Sequence, residues 1–232
     1  MSLRHFILGL AACFGLAWLT VVIIPFFKMR NLAPIALTEE PDSAAFYPKR
    51  TGRVADGNRV YSENGCYQCH TQVIRPTYAG NDMFRADWAG LKADPDRGDT
   101  RRETNEFDFI GEKFAHIGVN RIGPDLSNIG RRVTSLYAPE DPEGWFYGHL
   151  YNPRLKPEMA KSKCPSFTFL FEKKKIGSGL SPHAFAIPGD DTHEMVPNSD
   201  ARALVSYLLY LKKDQPVPDS LNFAREKKGD KK

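Results

Sequence analysis

The longest uninterrupted pattern in the chain is apolar. Phe6 to Phe27 (FILGLAACFGLAWLTVVIIPFF) carries no charge; Arg4 and His5 precede it, and Lys28 and Arg30 follow. As a helix rising about 1.5 Å per residue, the run reaches roughly 33 Å, enough to span a hydrocarbon core of about 30 Å. A cleaved signal peptide would show a shorter apolar stretch and then small residues. Here the run leaves through Pro25, Phe26, Phe27 and Lys28. Residues 1–30 are therefore expected to be a retained transmembrane anchor. Basic residues on both flanks leave its orientation open.

The pattern then changes twice. Residues 31–51 hold Pro34, Pro41 and Pro48 with no helical or strand period, which predicts an extended linker. Residues 52–213 show no composition break and are expected to form one domain. Within it, Val54, Gly57, Val60 and Tyr61 fall close to one helical face. A second helix is predicted from Ser199 to Lys213. Ser199 can cap it, Asp200 sits in the positive first turn, and Lys212 and Lys213 close the negative end. Ala201, Leu204, Val205, Leu208 and Leu211 form its apolar stripe. Ala93 to Glu106 is almost wholly polar and reads as a surface loop. There are no repeats and no sustained period-two strands; Val133–Tyr137 and Phe167–Phe171 are short and ambiguous. Residues 214–232 read as a basic, flexible tail.

Composition narrows the classes. Apolar residues at 41% and charged residues at 26% exclude wholesale disorder. Mean hydropathy of −0.44 excludes a polytopic membrane protein. Lys and Arg exceed Asp and Glu by only 4, too little for a nucleic-acid binder of this length. Pro 17 and Gly 18 point to a loop-rich fold.

The chemistry is concentrated in the cysteines. Of four, Cys13 lies in the apolar run, and Cys66-Tyr67-Gln68-Cys69-His70 reads C-x-x-C-H, the attachment pattern of c-type haem. Two thiols about one turn apart can each add to a porphyrin vinyl group, and the adjacent His70 can then ligate the iron. Structural zinc would need a second ligand pair, and a thioredoxin-like dithiol a βαβ context; neither is present. One covalent haem c per chain is expected. The motif also implies topology, because haem is attached on the outer face of a bacterial inner membrane. The domain is then periplasmic and the N-terminus cytoplasmic.

Several segments together resemble subunit II of the cbb3-type cytochrome c oxidases, a single-haem, single-anchor subunit. Gly57 to Gly65 leads into the motif, and Gln72-Val73-Ile74-Arg75-Pro76 follows it. Arg121-Ile122-Gly123-Pro124-Asp125-Leu126 with Gly130-Arg131, and His149-Leu150-Tyr151-Asn152-Pro153-Arg154, supply two further blocks. The resemblance implies a mainly α fold: a class I cytochrome c domain with long loop insertions behind one transmembrane helix. In it Gly57 lets the two helices approach and Tyr207 packs beside it. It also implies that the Pro124 carbonyl orients His70, that Arg121 pairs with a haem propionate, and that Arg75 belongs to the cofactor-binding set. The implied role is electron relay toward the haem–copper catalytic subunit, from another c-type cytochrome subunit, with no bond chemistry of its own. Alternatives are a relay in another membrane complex, such as a quinol-oxidising assembly, and a haem-based sensor or enzyme.

One position departs from the resemblance. The family places an axial Met before Pro and an aromatic; this chain has Ser162-Lys163-Cys164-Pro165-Ser166-Phe167. Cys164 is the expected sixth ligand, shielded by Phe167 and Phe169. Met159, Met195, His183 and His193 stay open as alternatives. Cys164 also has a plainer reading, as a small buried residue beside the haem. A haem-stained denaturing gel is expected to show this chain, and the double variant Cys66→Ala, Cys69→Ala is expected to abolish the band.

Overall fold

A computed structural model describes residues 2–32, 35–36, 45–46, 50, 52–85 and 87–218. The chain divides into two units, Met1–Phe46 and Tyr47–Lys232.

The first unit is dominated by helix α1, Leu3–Met29, the one helix among the described residues long and apolar enough to cross a membrane. None of its most apolar window is buried by protein, and its outward side chains include Phe6, Phe14, Trp18 and Phe26. The helix widens to π geometry at Leu19–Ile23, directly ahead of Pro25. Proline has no N–H to donate and its ring crowds the carbonyl four residues earlier, so a local change of pitch relieves both problems. Thr20 Oγ1 donates back to the Leu16 carbonyl (2.9 Å) in the same stretch. Of the expected linker, Ala36 and Ala45 form an antiparallel bridge, and Phe46 N–H donates to the Ile35 carbonyl (2.7 Å). Most of residues 31–51 lie outside the described residues.

The second unit is built on helices α2, Arg53–Glu63, and α5, Ser199–Tyr210. Between them in sequence lie α3, Ile129–Arg132, and α4, Pro142–Tyr151, with several single 3-10 turns. Gly57, Val60 and Tyr61 are the buried residues of α2. A Cβ at Gly57 would overlap the Ala203 carbonyl and lie 2.6 Å from Tyr207 Cβ. Only glycine lets the two backbones touch there. Tyr61 and Tyr207 then pack ring to ring at 5.5 Å, and Leu204, Leu208, Ile129 and Leu150 complete the core around them. The Val54–Tyr61 face and the α5 stripe therefore meet as expected.

Both ends of α5 differ from expectation. Asn198, not Ser199, is the N-cap, its side chain accepting from Ala201 N–H (2.9 Å). The helix stops at Tyr210, so Lys213 does not lie in its last turn. Lys213 is instead buried, 3.8 Å above the Phe109 ring and 3.9 Å from Glu112, which also pairs with Arg50. Burial pushes its ammonium down to about 7.

The packed region also exceeds the expected limits of 52 and 213. Arg50 donates to the Asp108 carbonyl (3.0 Å). Asp214, expected to begin a flexible tail, is 3% exposed. Its carboxylate takes Arg97 (3.2 Å), Arg131 (3.1 Å) and the Thr100 hydroxyl (2.8 Å). The polar stretch 93–106 is a surface loop, as expected, but one tied down by the ion pairs of Asp94, Arg97 and Arg102. Residues 219–232 lie outside the described residues.

A three-stranded antiparallel sheet was not expected. β1 (Phe171–Lys175), β2 (Phe185–Ile187) and β3 (Asp190–Pro197) lie in the order β1-β3-β2, with Lys173 opposite Met195 and Phe185 opposite Met195. Only Phe171 of β1 is buried, so no alternating apolar face marks it in the sequence. The sheet is held to α4 by aromatic packing, Tyr151 stacking on Phe185 at 4.4 Å.

Gly57→Val is expected to destabilise this unit by about 3 kcal/mol, the upper end for an overpacked core. That corresponds to a fall in Tm of roughly 10 °C, readable by thermal melting.

Candidate functional site

Helix α2 ends where its C-terminal carbonyl is taken by a side chain: Asn64 Nδ2 donates to the Val60 carbonyl (2.8 Å). Gly65 then turns at φ +65°, in the left-handed region that favours glycine. The 3-10 turn Cys66–Gln68 follows, closed by Cys69 N–H and His70 N–H on the Cys66 carbonyl (3.2 and 3.0 Å). Both thiols and the imidazole of the motif therefore project from one turn. All three cysteines outside α1 are unpaired and partly buried.

The Arg121–Leu126 segment lies alongside. Gly123 N–H donates to the Cys69 carbonyl (2.9 Å) and Leu126 N–H to the Thr71 carbonyl (2.8 Å). His70 Nδ1 is 2.8 Å from the Pro124 carbonyl, which can only accept, so the proton is on Nδ1 and the Nε2 lone pair is free. A Cβ on Gly123 would run into the His70 ring, 2.7 Å from Nδ1. The ring is thus seated against backbone and oriented by a carbonyl. Burial lowers its pKa against the Pro124 bond, and the Arg132 charge lowers it further, so the imidazole is neutral.

Asp125 and Asp82 brace this junction. Asp125, fully buried, accepts from Thr71 Oγ1 (2.6 Å), Val73 N–H (2.9 Å) and Ser127 N–H (2.7 Å). Asp82, also fully buried, takes Arg75 (2.9 Å) and Arg121 (2.8 Å). Burial would raise the Asp82 carboxyl; the bonds from Arg75 and Arg121 outweigh it and hold the group well below the usual carboxylate range. The two arginines expected to contact the cofactor thus take a protein carboxylate. Arg121 spends its Nε on Thr71 (2.8 Å) and an Nη2 bond on the Val73 carbonyl (2.7 Å), and lies 5.2 Å from the Trp88 ring centroid.

Cys164 comes to the same place from the other end of the domain. Its thiol is pushed up by burial and then by the charge of Cys69, and Cys66, raised to about 12 chiefly by burial, also feels Cys164. Arg154 holds the segment, donating to the Cys164 carbonyl (2.7 Å) and Ser166 Oγ (2.6 Å). Phe167 packs on the core, whereas Phe169 is 62% exposed and does not shield the thiol as expected. The open alternatives take the following positions. Met159 ends the 3-10 turn Pro157–Met159, and Met195 lies mid-strand in β3. His183 lies between Asp141 (3.7 Å) and Glu143 (3.8 Å), and His193 is bonded to Asp190 (3.1 Å).

Two site residues were missed by sequence reasoning. His149 on α4 was quoted as part of a motif but not weighed as chemistry. Its buried Nδ1 has no hydrogen-bond partner among the described residues, and its ring is near enough to His70 for protonation of one to disfavour that of the other. Arg132, 1% exposed, is held by backbone carbonyls of Asp125 (2.5 Å) and Asp87 (3.4 Å). Its signal was a second arginine in Gly130-Arg131-Arg132, indistinguishable in sequence from a surface residue.

These residues fit a haem. A neutral, oriented imidazole follows two thiols on one turn; an orphaned buried imidazole lies near it, and a buried guanidinium close by suits a cofactor carrying carboxylates. Fold and site define the class: a mostly helical mono-haem cytochrome domain behind an apolar helix. The family model for the cytochrome c oxidase mono-haem subunit, FixO, matches residues 11–187, and the chain belongs to that family. No curated protein matches the chain. Membership makes it a mono-haem subunit of a cytochrome c oxidase, with partners in that complex, and α1 is compatible with a single-pass membrane anchor.

Asp82→Asn is expected to cost about 1–3 kcal/mol, because the largely buried Arg121 guanidinium loses its charged partner. The pH profile supplies a second check. A carboxyl lowered by folding stabilises the fold above the ordinary carboxylate range and loses that contribution as pH falls below about 4. Melting curves of the variant are expected to flatten over that acid range.

Proposed function

We propose that this subunit relays single electrons within its oxidase, toward the haem–copper catalytic subunit, through a haem bonded covalently to Cys66 and Cys69. His70 and Cys164 would hold its iron. The observation that carries the reading is the hydrogen bond from His70 Nδ1 to the Pro124 carbonyl, on the turn that also bears both thiols. It makes Nε2 the ligating atom and raises its basicity. The bound haem supplies a one-electron ferric/ferrous couple. The chain's own part is to keep the His70 ring in one orientation, so that little rearrangement accompanies a change of charge. Asp125 and Asp82 serve this by tying the segments on either side of the ring. Covalent attachment of this kind would support a domain on the periplasmic face of a bacterial inner membrane.

Cys164 bears on direction. A thiolate donates charge to ferric iron and lowers its potential relative to Met. A low-potential site early in the relay is the consequence.

Two measurements test this. Purification from membranes is expected to bring down a haem–copper subunit and another c-type cytochrome; a molybdopterin or iron–sulfur subunit in their place would favour a quinol-oxidising assembly. In the holoprotein, Cys164→Met is expected to raise the potential by on the order of hundreds of millivolts, within the span that axial ligands control. Unchanged spectra and potential in Cys164→Ala would remove Cys164 from the iron.

A further inference from the structure

The His149 ring is the one group at the site whose chemistry the relay does not yet use. It lies on α4 one turn after Trp145, and the two rings stack at 5.3 Å with planes 7° apart. Lys156 secures Trp145 in turn, donating to its carbonyl (3.1 Å) with the ammonium 4.1 Å from the ring centroid. The imidazole is thereby held rather than free to swing. An imidazole in either tautomer has one ring N–H to donate. A buried polar atom without a partner is costly, and its persistence needs a reason.

Hydrogen bonds tie together the segments that carry His149 and Cys164. Phe167 N–H, three residues after Cys164, donates to the carbonyl of Leu150, directly after His149 (2.8 Å). Arg154, five residues after His149, donates to the carbonyl of Cys164 itself (2.7 Å) and to Ser166 Oγ (2.6 Å). The end of α4 and the 162–167 segment therefore move as one piece. That piece carries the orphaned imidazole and the third thiol toward the turn that bears Cys66, Cys69 and His70.

We propose that His149 is a positioning residue for the distal sulfur: it donates its ring N–H to Cys164 when that sulfur is on the iron. The inference rests on the reading of Cys164 as the second axial ligand. A hydrogen bond to a ligating sulfur withdraws charge from it, weakens its donation to ferric iron and raises the potential. His149 would thus offset part of the lowering that a thiolate imposes.

The test uses the full-length, haem-loaded protein in detergent, read by EPR and redox titration. His149→Phe keeps a ring to stack on Trp145 but has no N–H. It is expected to retain covalent haem and a low-spin signal, with shifted g values and a lower potential. His149→Gln, which keeps a donor, is expected to recover part of that shift. Equal potentials and g values in wild type and His149→Phe would overturn the proposal. So would a high-spin haem in His149→Phe with Cys164→Ala still low-spin, which makes His149 the ligand. Should the phenylalanine variant lose its haem, His149→Asn and His149→Leu replace it, and equal potentials in that pair refute the donor role. If Cys164→Ala alone leaves the spectrum unchanged, the ligand reading fails and the His149 role with it, while covalent attachment at Cys66 and Cys69 stands.

Discussion

The site depends on the seating of one imidazole. His70 is pressed against the backbone of Gly123 on one side and bonded to the Pro124 carbonyl at 2.8 Å. Two adjacent residues of another segment thus set both where the ring is and which nitrogen is free. Any side chain at 123 would evict the ring; any displacement of Pro124 would release its tautomer. The remainder of the domain can be understood as holding the Cys66–His70 turn and the Arg121–Leu126 segment in register to a fraction of an ångström.

That register is held by buried charge rather than by apolar packing alone. Asp125 accepts from both the Thr71 side chain and the Val73 backbone, and Asp82 receives Arg75 and Arg121 from either segment. Each carboxylate is fully buried, so removing one partner strands a charge without water. Such bonds add little net stability compared with an apolar core of the same shape, but they permit only one alignment of the two segments. The same logic recurs at Asp214, which gathers Arg97 and Arg131 and ties the polar loop to the end of the chain. The apolar crossing of α2 and α5 at Gly57 supplies the platform, and Gln72 links it to the site through the Tyr207 hydroxyl (3.1 Å).

A haem-bearing cytochrome ordinarily presents a soft, neutral thioether on its distal side. The segment of this chain that resembles the one bearing it has a thiol, Cys164, held by an arginine through its backbone and followed by Phe167 against the core. If Cys164 takes the iron as proposed, burial and hydrogen bonding are the means of moderating it. Both are at hand in the half-buried 162–167 segment and in the stacked imidazole of α4.

Much of this was legible in the amino-acid sequence, for reasons of scale. The apolar helix, the Cys66–His70 turn, the proline turn and the α2–α5 pair rest on short-range patterns: an uncharged run, a four-residue spacing, a Gly-Pro pair, and a helical stripe with small residues. Local rules act over a turn or two, and these features are no longer than that. What the tertiary structure decided involves partners far apart in the chain. That Asp82 pairs with both Arg121 and Arg75 is settled only by the fold, and Asp214 looks like the start of a tail until Arg97, Thr100 and Arg131 reach it. Strand β1, FEKKK, buries one residue in five and carries no period to find. His149 is an unremarked letter in a motif until folding leaves its Nδ1 buried with no partner among the described residues. Whether a polar group is solvated, paired or stranded is a property of its surroundings, and those are set only when distant segments meet.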